Sequence, residues 1–228
     1  TGVQTCALPI CKMKKTLYSL MLSEDVVRAV DERAHQLGLS RSGLVNQILA
    51  QNLSVATPES RINDIFQQME ALMAPVKELV PFFAPNSPTM SLKSSLAYKY
   101  RPTVKYEVEL SRGGEGKLGD LSVVFRTQSA QLIADMTDFF RLWVGIENAH
   151  LAPLLGVRLE CALYEGKFLR PIPLPRSRNC SAQDIAQALS QYVQLFDRLL
   201  KGYLSGDLSP QDVEKAYCED LKTRTLYL

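Results

Sequence analysis

From Lys15 to Leu22 polar and apolar positions alternate, with Tyr18, Leu20 and Leu22 on one face of an extended segment and Lys15, Leu17, Ser19 and Met21 on the other. The pattern predicts one short strand. Ser23 then reads as a helix cap, followed by Glu24 and Asp25 where negative charge suits the positive end of the helix dipole. Val27, Val30, Ala34 and Leu37 recur at helical spacing, and Gly38 is a good stop. Ser40 caps a second helix, with Leu44, Val45, Ile48, Leu49 and Leu53 on its apolar side. One strand and two helices bury too little apolar surface to stand alone, and a lone strand leaves both edges unpaired. The unit is therefore expected to be an intertwined dimer.

Further along, Thr57 and Pro58 open a third helix whose apolar positions Ile62, Ile65, Met69, Leu72, Val76 and Leu79 lie three and four apart, with Pro75 inside the run. Residues 81–95 are rich in Pro and Ser and read as a linker. Beyond it "TVKYEVEL" turns Val104, Tyr106, Val108 and Leu110 inward, and "DLSVVFRT" supplies a partner strand across the turn "RGGEGKLG". That turn is not a phosphate loop: Leu118 follows Lys117 where Ser or Thr is needed, and Ser111 replaces the first Gly. Ser129 caps a long helix carrying Leu132, Met136, Phe139, Phe140 and Trp143, a stripe suited to a core. Residues 157–169 suggest a second hairpin, and "PIPLPRSRN" with the Arg170 just before it reads as a solvated loop bearing Arg170, Arg176 and Arg178. Ser181 with Asp184 opens a helix running through Tyr203, and Ser209-Pro210 opens another. This part is expected to be an α+β domain of two hairpins and three helices.

Composition narrows the function classes. A net charge of +2, 46% hydrophobic and 22% charged residues describe a chain with an ordinary core, so any basic surface must be local. The opening "TGVQTCALPI" matches, codon by codon, the translation of a sequencing-library adapter; residues 1–11 are read as a scar, and the native start as Met13 or a point upstream. Reading "CALPIC" as a signal-peptide core lacks both a basic flank and a cleavage site. Outside the scar stand Cys161, Cys180 and Cys218, widely spaced, with only His35 and His150 as further soft ligands. Neither a zinc site nor a disulfide framework fits, and a reducing cytoplasm does. No apolar run reaches the roughly 18 residues of a membrane span. No catalytic constellation forms around His150 or elsewhere, so no enzyme activity, cofactor or metal is expected.

The stretch "TLYSLMLSEDVVRAVDERAHQLGLSRSGLVNQIL" resembles the ribbon-helix-helix DNA-binding module of bacterial repressors of the Arc and CopG type, over residues 13–53. The resemblance implies that two chains pair their strands into an antiparallel ribbon that enters the major groove. It also implies that Lys15, Leu17, Ser19 and Met21 read base edges, while Ser40, Arg41 and Ser42 at the start of the second helix hold a DNA phosphate. Two positions depart from the family pattern. Gly43 stands where an acidic capping-box residue is common, and Leu17 and Met21 are apolar, leaving Ser19 as the clear hydrogen-bonding reader beside contacts suited to thymine methyl groups. The implied organisation is a ribbon-helix-helix at 12–56, a connector helix and linker at 57–95, and the α+β domain at 96–228. The implied protein is a cytoplasmic, nucleoid-associated homodimeric regulator of transcription that binds double-stranded DNA. Two alternatives stand beside it: an antitoxin or partition-type mobile-element protein whose C-terminal domain binds a protein partner, and a dimerisation module without DNA binding.

Overall fold

The computed structural model describes residues 16–53, 55–84, 87–96, 102–112, 116–175 and 180–228. Three helices come first: α1 (Glu24–Gln36), α2 (Arg41–Asn52) and α3 (Pro58–Met73). Strands β1 (Val80–Phe83), β2 (Thr89–Ser95), β3 (Thr103–Leu110) and β4 (Lys117–Phe125) follow, then α4 (Ala130–Ile146), a π-helical turn (Glu147–Leu151) and the short α5 (Ala152–Leu155). The chain continues with β5 (Ala162–Tyr164), β6 (Lys167–Pro173), α6 (Ala182–Ser205) and α7 (Pro210–Thr223).

All strand pairs are antiparallel, in the order β1-β2-β3-β4-β6-β5. The register follows from the alternation: Leu92 lies opposite Tyr106, and Tyr106 opposite Val123, so inward residues line up across the sheet. One face is apolar and buried, through Met90, Leu92, Tyr106, Val108, Val123 and Phe168. The other carries Lys93, Lys105, Glu107 and Glu109, all at least partly exposed. Helices cover the first face. The Tyr106 ring meets Phe196 of α6 edge-on at 6.0 Å, and Phe140 of α4 stacks on Phe168 of β6 at 4.9 Å. α3 adds Ile62, Ile65, Phe66, Met69 and Met73 to the same core and packs on α6.

Gly119 marks a register shift between β4 and β6. A Cβ at this position would fall onto the Glu109 carbonyl oxygen and within 3.0 Å of the Leu110 Cα, and backbone atoms cannot swing aside. Gly119→Ala should therefore destabilise the fold by about 1 to 3 kcal/mol, as overpacking does. A thermal melt within about 1 °C of the parent would contradict that close approach.

Several expectations are corrected. A ribbon-helix-helix is not seen at the N-terminus: residues 16–23 are outside any strand, and among the described residues no backbone hydrogen bond involves 16–22. The physical reason is that alternation only prepares a strand, which forms when another strand meets its edge, and the sheet within this chain does not supply one. The expected linker at 81–95 holds most of β1 and all of β2, so the α+β part has a six-stranded sheet rather than two hairpins. Its helices are also more numerous than three, since α3 joins the core and a π-turn with α5 extends α4. Arg170, expected on a solvated loop, sits in β6 with 1% exposure, while Arg176 and Arg178 lie outside the described residues.

Candidate nucleic-acid interface

The candidate interface is built from the segment 16–22 and the pair α1 and α2. Ser23 is extended and leads into α1, whose first turn carries Glu24 and Asp25. Gly38, with φ of 63°, takes the left-handed turn that lets the chain reverse into α2. The two helices pack on one another, and their buried residues Ala34, Leu44 and Ala50 do not belong to the main core.

The base-reading candidates are all at the surface. Leu17 and Met21 are fully exposed, Ser19 is exposed, and Lys15 lies outside the described residues. The expected inward partners fare differently from the expectation. Tyr18 is exposed, while Leu20 and Leu22, at 50% and 46%, are only half covered. Among the described residues neither face of this segment is fully covered.

At the start of α2 the Ser40 Oγ accepts a hydrogen bond from the Gly43 N–H at 3.2 Å, and Ser42 Oγ lies 3.5 Å from Ser40 Oγ. The absent acidic residue at Gly43 means that the cap runs one way only, without the reciprocal bond found at α3, α6 and α7. Gly43 also suits the cap, since a Cβ there would come within 3.0 Å of Ser40 Oγ. The N–H groups of Arg41 and Ser42 have no acceptor among the described residues, as is usual in a first helical turn. Two amides and two hydroxyls therefore face outward together at the positive end of a helix.

Arg41 itself is not free. Its Nε and Nη2 donate to the two carboxylate oxygens of Asp31, each at 2.5 Å, and this fork joins α2 to α1. Hydrogen bonding to Asp31 raises the Arg41 pKa further above its ordinary value, so the guanidinium stays charged. Asp31 was not legible as its partner, because it lies ten residues back across a turn. Both groups are well exposed, so a phosphate arriving at the helix start competes with Asp31 for a solvated cation rather than breaking a buried pair. Elsewhere on the unit Arg28 pairs with Asp25, and Arg33 reaches Gln36.

The remaining chemistry is sparse. Among the described residues no three His, Cys, Asp or Glu side chains converge on a metal-sized space, and no helix is long and apolar enough to cross a membrane. His150 Nε2 lies 2.7 Å from Glu214 Oε1, tying the π-turn to α7. Cys161 is partly buried, and burial pushes its thiol up to about 12, far from a reactive thiolate. Comparison with protein-family models, with curated proteins and with solved structures finds no match to this chain.

Proposed function

We propose that the protein binds double-stranded DNA as a homodimer through residues 16–53 and acts as a cytoplasmic regulator of transcription. The observation that carries this reading is the apolar surface left uncovered on this unit: Tyr18, Leu20 and Leu22 on the leading segment, Val26 on α1, Ile48 and Leu49 on α2, and Leu53 at its C-cap. Apolar surface of this extent on so small a helical pair marks an association site. A second copy suits it, because it also brings two α2 starts into one assembly, doubling the amides and hydroxyls that can hold phosphate. Ser19 offers a hydrogen bond to base edges, Leu17 and Met21 offer contacts to thymine methyl groups, and Lys15 adds charge ahead of them.

The test is fluorescence anisotropy on random and selected duplexes over a range of salt. Binding should weaken linearly in log–log form as salt rises, because phosphate contacts release counterions. Ser42→Glu should weaken binding to every sequence about equally, since phosphate contacts position without reading bases. Asp31→Asn should tighten binding to every sequence by a few-fold, because it frees the Arg41 guanidinium for phosphate. A dimer that shows no affinity for DNA at low salt would leave the second reading, a dimerisation module alone, which the Arg41–Asp31 fork favours.

A further inference from the structure

The turn after α3, the outer face of β1 and β2, and the end of α6 enclose an open groove of about 720 Å³, with no lining residue from α1 or α2. That volume falls within the usual range for sites that hold small molecules. Leu96 and Leu204 give it an apolar floor, and Lys77, Lys93 and Lys201 stand along its walls. Lys77 and Lys93 are exposed, and neither has a carboxylate partner among the described residues.

Lys201 is different, because two carboxylates hold it. Asp197 Oδ2 lies 2.8 Å from its Nζ, and Asp197 is buried, with its other oxygen accepting the Tyr106 hydroxyl at 2.9 Å. That partner is fixed by the core. The second, Glu78 Oε2, lies 2.7 Å away, yet its side chain is 72% exposed and sits on the turn after α3. Such a contact is exchangeable, since an exposed carboxylate loses little by returning to water. A second depression, of about 570 Å³, is also lined by Glu78 and Lys201, so the contact borders open space in both depressions.

We propose that this groove binds a small organic dianion with a short apolar body, one anionic end replacing Glu78 on Lys201 and the other meeting Lys77 and Lys93. The apolar floor takes the hydrocarbon part. Asp197 keeps Lys201 aimed into the groove whether or not the ligand is bound. Glu78 is then an internal competitor, occupying the cation when the site is empty. The proposal rests on the groove alone and not on the DNA-binding reading.

Titration calorimetry on the full chain tests it, with suberate as the dicarboxylate probe and 6-phosphonohexanoate as the probe with one phosphoryl end. One-to-one binding with Kd below about 1 mM is expected for at least one of them, and the preferred probe assigns the carboxylate or phosphoryl source. Glu78→Gln should tighten binding at least threefold, since the competing charge is gone. Lys77→Ala and Lys93→Ala should each weaken it at least fivefold with no change in melting temperature, because both side chains project into solvent. A merely structural Glu78–Lys201 bridge predicts the reverse for Glu78→Gln, namely unchanged or weaker binding. That result, affinity unaltered by either lysine variant, or no saturable heat from either probe up to about 10 mM, would overturn the proposal.

Discussion

Glu147→Ala should cost the fold about 3 to 5 kcal/mol, among the largest single losses available to it, because the change strands a buried cation. The guanidinium of Arg170 is 1% exposed. Its Nε donates to both Glu147 carboxylate oxygens at 3.0 Å, and its Nη2 donates to the Leu228 main-chain oxygen at 2.6 Å. The Tyr192 ring lies under the guanidinium at 4.3 Å, while the Tyr192 hydroxyl donates to Glu147 at 3.0 Å and accepts from Trp143 Nε1 at 2.8 Å. Burial works against the charge on Arg170, and the Glu147 carboxylate more than restores it, so the guanidinium pKa is raised rather than lowered. Removing Glu147 therefore leaves a charge that cannot neutralise itself in an apolar setting.

A control separates the loss of the pair from the stranding of one partner. The double variant Glu147→Met with Arg170→Met removes both charges at similar volume and should lose much less than Glu147→Ala, since a buried pair repays little more than its own desolvation. Urea titrations on the three proteins give the comparison through their midpoints. Equal losses for the single and double variants would show that the site matters by packing and not by charge.

How far the sequence disclosed this molecule depends on the range of each signal. Most helix starts were legible because a cap is a local bond: Ser40, Thr57, Ser129, Ser181 and Ser209 each accept the N–H three residues on, whereas Ser23, also read as a cap, precedes α1 without a side-chain cap bond. The α4 stripe was legible for the same reason, and Leu132, Met136, Phe139, Phe140 and Trp143 are all buried. β1 and β2 were hidden by their prolines and serines, although Pro81 lies on an edge strand, where its missing N–H is tolerated, and Met90 and Leu92 alternate inward. Arg170 was misplaced because its partner lies 23 residues away on another element, and no local pattern pairs an arginine in a strand with a glutamate in a π-turn. At the candidate interface the Ser40 cap was readable, whereas the Arg41–Asp31 fork depends on how two helices fold back on one another. The Asp197–Lys201 pair carried a visible signal in its four-residue spacing on α6, but its exchangeable partner Glu78 carried none.

Phe196→Ala should be of comparable severity, about 3 to 5 kcal/mol, since it empties the meeting point of the sheet and two helices, α4 and α6. Phe196 is fully buried on α6. Its ring lies 4.6 Å from Trp143, 5.4 Å from Phe139 and 6.0 Å from Tyr106, with Phe168 at 6.1 Å. Backbone cannot collapse into the space, because the neighbours sit on a hydrogen-bonded sheet and on helices fixed at other contacts, so most of the cavity persists. Phe196→Leu keeps most of the volume and should lose well under half as much, mainly through the edge-on ring contacts. The next residue sharpens the test: Asp197 holds Lys201 and Tyr106 from the same turn of α6, so a shifted helix would also disturb the groove. Chemical denaturation gives the energies, and binding of the groove probe to Phe196→Leu reports whether α6 has moved. An alanine variant as stable as the leucine one would mean that the core relaxes around the missing ring, and the aromatic cluster would then not be what fixes α6 against the sheet.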